Sequence, residues 1–220
     1  IPAARLVFAN APPLIALPED RMGWGSLCRL ISAGRLRAEK GACHLELADL
    51  LEQGERLHLL LLPPAEHLSG GAGGWAPHME ALTRRFAGRM HLLMTPAYDG
   101  GDRARFAAWA DLAEHLNLPP LASAAPRMHH GRRRRLGDVL SAIRLRCKVE
   151  ELGRAAMANA EQRLRSEAEM RRLFRGYETA VDNAARLADR LSFSLDELRY
   201  DYPDEGLEGE TPSARLRRLT

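Results

Sequence analysis

The sequence predicts an α/β fold in which parallel strands with outer helices are followed by a helical C-terminal segment. Strand-like and helix-like apolar patterns alternate from residue 5 to residue 144, giving strand, helix, strand, helix, strand, helix, strand and helix. Leu57-His-Leu-Leu-Leu-Leu62 is nearly continuous in apolar residues, as a strand covered on both faces is. No strand of comparable quality follows residue 144. This order demands a parallel sheet with helices outside it, either open or closed into a barrel.

The first elements are short and are bounded by turn residues. Residues 5–9 and 12–18 are apolar runs, the second between prolines, and both suit an edge or rim position. Glu19-Asp20 can cap the helix that follows, and Gly34 is a plausible end for it. Residues 46–53 predict a further short helix.

The central part of the chain continues the alternation after the leucine run. Residues 79–86 and 106–116 carry helical apolar patterns, while residues 90–94 and 121–125 read as strands. A further helix shows one apolar stripe, formed by Leu136, Val139, Leu140 and Ile143. The glycine-rich run at 69–74 lacks the Gly-Lys-Ser/Thr ending of a phosphate-binding loop and is interpreted as a connector.

Beyond residue 144 the patterns are helical. Residues 161–175 predict a charged helix, and residues 177–191 predict a second helix with an apolar stripe. Thr211-Pro-Ser is a good start for a last helix, because threonine caps helix N-termini and proline suits their first turn.

Composition bounds the function only loosely. The net charge of +3 comes from 32 basic against 29 acidic residues, too small an excess to indicate nucleic-acid binding by itself. The three cysteines lack metal-ligand spacing and favour a reducing compartment. No apolar run is long enough to cross a membrane and no signal pattern opens the chain, so we expect a soluble cytoplasmic protein without a membrane partner.

The predicted strand ends carry no obvious chemistry. Parallel α/β folds place reactive residues at the C-terminal ends of strands. Those positions hold Asn10, Pro63, Pro64, Thr95, Pro96, Ala125 and Pro126. None is a good metal ligand or general base, so the sequence predicts no catalytic residue. His58 and His91 lie among leucines and are interpreted as packed or rim residues.

The loop that leads into the stripe-bearing helix admits two interpretations. In one, His129 or His130 ligates a metal and the run Arg132, Arg133, Arg134 and Arg135 binds phosphate or nucleic acid. In the other, these are solvated loop residues that cover the helix start. A catalytic metal needs three or more converging ligands, so two neighbouring histidines remain weak candidates and no metal site is predicted.

Several runs resemble one family in the same order. They are Gly23-Trp-Gly-Ser-Leu-Cys-Arg-Leu-Ile-Ser with Lys40-Gly, Asp102-Arg-Ala-Arg, Arg135-Leu-Gly-Asp-Val-Leu-Ser-Ala-Ile-Arg, Asn159-Ala-Glu-Gln-Arg-Leu-Arg-Ser, and Phe193-Ser-Leu-Asp-Glu-Leu-Arg-Tyr-Asp-Tyr-Pro-Asp-Glu with Glu210-Thr-Pro. Together they resemble the N-terminal region of the error-prone paralogue of the bacterial DNA polymerase III alpha subunit. The last run is the most specific, because it is long and unusual in composition.

The resemblance implies a domain organisation. Residues 1–145 would be the later part of a polymerase-and-histidinol-phosphatase (PHP) domain, a partial, distorted β/α barrel with parallel strands. Residues 146–192 would be a helical connector, and 193–220 a linker and the start of the polymerase palm region. The first strands of the barrel, with a His-x-His pair, would precede Ile1.

The resemblance also implies that the ligand set of active PHP domains is incomplete here. Where such domains read Gly-Asp-Val-His-Met-His, this chain reads Ala124-Ala-Pro-Arg-Met-His129. Ala125 takes the aspartate position and Arg127 the first histidine position, so only His129 matches. The acidic ligands expected near Asn10 and Thr95 have no counterpart either.

Three functions are weighed on this basis. The first is a degenerate, non-catalytic PHP domain of an error-prone, translesion DNA polymerase, acting as scaffold for the polymerase body in replication and damage tolerance. The segment itself would need no cofactor, while the full polymerase would use magnesium; its partners would be the rest of that chain, DNA and possible accessory proteins of damage tolerance. The alternatives are an active metal-dependent phosphoesterase or 3'-5' exonuclease, and a stand-alone protein-interaction remnant.

Overall fold

Five strands form one open, mixed sheet in the computed structural model, which describes residues 1–9, 11–63, 76–199 and 211–220. The strands are β1 (Ala4–Leu6), β2 (Leu14–Pro18), β3 (Leu57–Leu61), β4 (Met90–Met94) and β5 (Pro120–Ala122). They lie in the sheet in sequence order, β1-β2-β3-β4-β5. The predicted α/β class is therefore confirmed, and the described strands leave the sheet unclosed.

The strand directions correct the prediction of an all-parallel sheet. β3, β4 and β5 are parallel, but β1 pairs antiparallel with β2, and β2 antiparallel with β3. The seven residues between β1 and β2 are too few for a crossover connection, so these two strands form a hairpin. Between β2 and β3 the chain makes two helices instead of the single helix of a βαβ unit.

The helices follow the predicted order. They are α1 (Arg21–Leu36), α2 (Leu47–Gln53), α3 (Ala76–Arg85), α4 (Asp102–His115), α5 (Arg134–Leu145), α6 (Glu167–Leu173), α7 (Glu178–Arg190) and α8 (Pro212–Leu219). Asp20 caps α1 by accepting a hydrogen bond from the Gly23 backbone amide at 2.9 Å, as the sequence predicts. Thr211 caps α8 in the same way, through Ala214.

The sheet separates two apolar cores. Alternate residues of β3, such as Leu59 and Leu61, face the larger core, which α1, α2, α3 and α4 cover. Leu60 and Leu93 face the opposite side, where α7 covers them with Leu187. Because period-2 alternation sends successive strand residues to opposite faces, the leucine run needs a cover on both sides.

Several predicted boundaries differ from the structure, and three of them have a clear physical reason or consequence. Gly34 does not end α1, which continues to Leu36; a Cβ at Gly34 would lie 2.6 Å from the Leu45 side chain, so this glycine permits close packing. The helix predicted over residues 161–175 is shorter, because the Ser166 capping box starts α6 at Glu167. β5 ends at Ala122 instead of residue 125.

Some predictions lie outside the described residues or stay untested. The glycine-rich run at 69–74 and Asn10 belong to the former group. The domain boundaries after residues 145 and 192 stay predictions. All three cysteines are free. Among the helices of the described ranges, none combines the length and the apolarity needed to cross a bilayer.

Candidate functional site

The C-terminal ends of the parallel strands form the edge at which a fold of this class places reactive groups. The residues that follow β4 and β5 there are Thr95 and Ser123. Ala125, at the aspartate position implied by the resemblance, has a φ of +45°, in the left-handed region that alanine rarely adopts. Its amide donates to the Ser123 hydroxyl at 3.1 Å, which helps to hold this turn.

The loop after Ala125 is tied to the segment that precedes α6. The Arg127 amide donates to the Gln162 carbonyl at 2.9 Å, and the Leu164 amide donates to the Met128 carbonyl at 3.0 Å. Met128 and Arg163 thereby form an isolated parallel β-bridge. The connector that follows α5 therefore returns to the loop that leaves β5 and pairs with it.

The two candidate histidines are exposed on this loop. His130 is the N-cap of the short 3-10 turn Gly131–Arg133, since its Nδ1 accepts from the Arg132 amide at 3.1 Å. In the part of the chain that the structure describes, no three His, Cys, Asp or Glu side chains lie where they could share a metal ion. Among the described residues, neither histidine therefore has the partners that a bound metal ion would need.

The four arginines after the histidines divide into two kinds. Arg132, Arg133 and Arg135 are exposed. Arg134 is partly covered, and its Nε lies 3.7 Å from Oδ2 of Asp138 one turn later on α5. Three guanidinium groups thus face solvent beside the loop, while the fourth is paired within its own helix.

An arginine–tyrosine contact occupies the strand edge, and sequence reasoning did not predict it. Arg165 lies over the Tyr98 ring, with its guanidinium carbon 5.2 Å from the ring centre, and its Nε donates to the Tyr98 hydroxyl at 3.3 Å. That hydroxyl in turn donates to the Ala124 carbonyl at 3.1 Å. Burial opposes the charge of Arg165, but its hydrogen bonds to Tyr98 and Glu161 leave its pKa raised.

A second pair extends this network into α6. Arg163 pairs with Glu169, whose carboxylate also accepts from the Ser166 amide at 3.0 Å. The hydrogen bond from Arg163, and to a smaller extent that from the Ser166 amide, lowers the pKa of Glu169 to about 2. Asn159 completes the contact by donating from Nδ2 to the Tyr98 carbonyl at 2.9 Å.

A third group lies at the start of α4. Asp102 accepts from the backbone amides of Ala97 and Tyr98 and pairs with Arg105, which also pairs with Asp99 at 2.7 Å. Two runs of the resemblance, Asp102-Arg-Ala-Arg and Asn159-Ala-Glu-Gln-Arg-Leu-Arg-Ser, thus meet at Tyr98. We call the residues Tyr98, Asp102, Arg105, Asn159, Arg163, Arg165 and Glu169 the edge network. Its signal in the sequence was the pairing of arginine with acid at helix starts, but nothing there indicated that the two runs meet.

The two strand histidines, His58 and His91, are not part of the edge network. His58 is fully buried and His91 nearly so, which confirms their interpretation as packed residues. Both ring nitrogens of His58 lack a hydrogen-bond partner among the described residues, and the Glu19 carboxylate lies 3.5 Å from its Nε2. Burial lowers the pKa of His58 to about 4 and also lowers that of His91.

The chain is similar over its whole length to curated polymerases, although no protein-family model matches it. It is 45% identical over 221 residues to the error-prone DNA polymerase of Ruegeria pomeroyi and 44% identical over 219 residues to that of Sinorhizobium medicae. It is 42% identical over 224 residues to error-prone DNA polymerase 1 of Rhizobium meliloti. These alignments take in 99–100% of this chain but only 19–20% of each relative. The chain therefore spans about a fifth of the length of the relatives it matches.

The fold defines the class of protein first: this is an α/β domain with an open sheet, in which the connector after α5 pairs with the loop that leaves β5. The similarity then points to a family. Over its whole length the chain is similar to error-prone DNA polymerases, of which it matches about a fifth. The family resemblance of its sequence runs is thereby confirmed.

Proposed function

We propose that this region is a degenerate, non-catalytic PHP-like domain that acts as a scaffold in a translesion DNA polymerase. The edge network carries the proposal, because arginine–carboxylate and arginine–tyrosine contacts occupy the strand ends at which a metal-dependent phosphoesterase needs its ligands. Every charged side chain of this network has its partner within the network or on the backbone beside it. The charges therefore hold the loops and helix starts together.

A scaffold role also agrees with what the network joins. Through Tyr98 it links the loop before α4, the end of β5 and the connector that follows α5. α7 then continues from this connector onto the second face of the sheet, where Asn183 donates to the Pro120 carbonyl at 2.8 Å. The path of the chain toward residue 193 is thus held at both the edge and the face of the sheet.

The whole polymerase supplies the chemistry in this proposal. By resemblance, nucleotide addition would use magnesium held by aspartates that lie beyond residue 220, and this segment would bind no cofactor of its own. Its partners would be the remainder of the polymerase chain, DNA through the full-length enzyme, and accessory proteins of damage tolerance.

Metal analysis and a nuclease assay on the full-length polymerase test this proposal. We expect no tightly bound zinc or manganese in this region, and no cleavage of a 3'-labelled primer beyond that of a His129→Ala/His130→Ala variant. Primer extension should be the same in both proteins. A bound metal cluster, or a nuclease activity that the double substitution abolishes, would establish the phosphoesterase alternative instead. Failure of the intact protein to extend primers would favour an interaction remnant.

A further inference from the structure

Helix α5 presents its apolar face to solvent. Leu136, Val139, Leu140 and Ile143 follow the spacing i, i+3, i+4 and i+7 and therefore share one face. Their exposed fractions are 48%, 40%, 58% and 68%. We call these four side chains the α5 stripe. A contiguous apolar stripe of this kind, unlike a single exposed leucine, marks an interaction surface.

The opposite face of α5 packs against the connector that follows it, and these contacts hold the stripe outward. Asp138 accepts a hydrogen bond from the Met157 amide at 2.9 Å. Gly137 lies against the same residue, since a Cβ there would be 2.8 Å from the Met157 sulfur. Ala142 is buried beside them. Small and polar residues thus face inward, and the large aliphatic residues face outward.

The charged residues on either side of the stripe indicate which charge a binding surface should carry. At 100° per residue, Arg135 and Arg144 lie on either side of the stripe, and both are exposed. Asp138, the acidic residue of α5, is on the inward face. The matching surface is an apolar ridge bordered by carboxylates, because these would meet the two arginines.

Charge and chemistry select among the possible occupants. DNA presents phosphates and polar base edges, which leave four aliphatic side chains without a complement. Two copies of α5 packed on each other would border one apolar contact with four arginines and no carboxylate from either helix, so a homodimer through this face lacks a complementary charge. A protein segment with apolar residues between acidic ones complements both the aliphatic side chains and the two arginines.

We propose that the α5 stripe docks an acid-bordered apolar segment of the same polypeptide, from the part of the polymerase outside residues 1–220. The relatives carry about four fifths of their length outside the matched region. Such a segment is tethered to α5, so its effective concentration favours contact within one chain. The inference rests on the proposed function in that it takes this region to be part of a full-length polymerase.

Photo-crosslinking in the purified full-length polymerase tests the docking. Ile143 is replaced by a benzophenone amino acid, and the same replacement at Leu36, 89% exposed on α1, serves as the control. We expect position 143 to crosslink to a same-chain peptide outside residues 1–220 that contains apolar and acidic residues, and Leu36 not to do so. Mixing isotope-labelled with unlabelled protein separates crosslinks within one chain from those between chains.

Other results overturn the inference. They are crosslinks between two chains at position 143, crosslinks to added DNA, crosslinks confined to residues 1–220, or no crosslink.

Leu140→Asp should lower the crosslinking yield at position 143 by about tenfold or more, because it places a carboxylate in the apolar contact. An unchanged yield would also contradict the docking. Primer extension by the same preparations separates failure of the docking from failure of the proposed function. A protein that extends primers but gives no crosslink would contradict only the docking.

Discussion

At the scale of one residue, Ala125 holds a backbone conformation that alanine rarely adopts. Its φ of +45° is a conformation that aspartate and asparagine adopt several times more readily than other non-glycine residues. The resemblance implies aspartate at this position. The backbone here therefore suits the type of residue that the resemblance implies.

Replacing Ala125 by asparagine should stabilise the protein. Left-handed backbone costs an ordinary residue about 1–2 kcal/mol, and we expect Ala125→Asn to recover about 0.5–1 kcal/mol of this. Denaturant unfolding of the 220-residue chain measures the change. Ala42→Asn is the matched control, because Ala42 is exposed and its φ is not positive. Equal effects at the two positions would contradict the argument.

His58 makes stability depend on pH. Its pKa is about 4 in the folded chain against 6.5 when unfolded, so between these values the unfolded state binds a proton that the folded state does not. The free energy of unfolding should therefore fall by up to about 3 kcal/mol as the pH drops from 6.5 to 4, and stay level above pH 7. The groups that face His58 include Glu19, Arg190, His91 and Arg89.

His58→Leu isolates this contribution. The substitution removes two buried nitrogens that lack hydrogen bonds, so the stability at pH 7 should be unchanged or higher. The dependence on pH between 6.5 and 4 should become shallower, while His115→Leu, at an exposed position, should leave it as it is. A curve for His58→Leu that matches the wild type would show that His58 does not control the slope.

At the scale of elements, the capping box of α6 starts this helix and also braces the loop that leaves β5. Ser166 and Glu169 each accept from the backbone of the other, and Glu169 also holds Arg163. Since Arg163 forms a β-bridge with Met128, one carboxylate sets where α6 begins and how the loop before α5 lies. This is why the helix predicted from residue 161 starts later.

Glu169→Gln should loosen this brace at neutral pH. The pKa of Glu169 is lowered to about 2 from 4.5, so its stabilising effect is present above 4.5 and is lost as the pH falls through 2. We expect a lower Tm for the variant at pH 7, with the difference from the wild type closing as the pH approaches 2. Glu150→Gln, at an exposed position of the connector, should not change Tm. An equal Tm for all three proteins at pH 7 would contradict the brace.

At the scale of the whole molecule, the exposed arginines before α5 allow the proposed DNA partner to be tested. If Arg132 and Arg133 contact phosphate, each adds about one unit to the slope of log affinity against log salt concentration. Arg132→Ala/Arg133→Ala in the full-length enzyme should lower the slope by about two. Arg35→Ala/Arg103→Ala removes two exposed arginines elsewhere and should not. An unchanged slope for the first variant would remove these residues from the DNA interface.

Local patterns in the sequence determined the α/β class, the order of the elements, the caps at Asp20 and Thr211, and the burial of His58 and His91. They did so because apolar periodicity and capping chemistry act over a few residues, which is the range a sequence displays directly. The family resemblance followed from runs of residues that stand in the same order along the chain.

Only the tertiary structure decided the antiparallel pairing of β2 with β3, the outward face of α5 and the edge network. Each depends on contacts between residues far apart in sequence. Met157 turns the apolar stripe of α5 toward solvent, and Tyr98 brings the runs at 102–105 and 159–166 together across the ends of the strands. A single sequence shows which residues can form such pairs, but the packing of the whole chain selects the pairs that form.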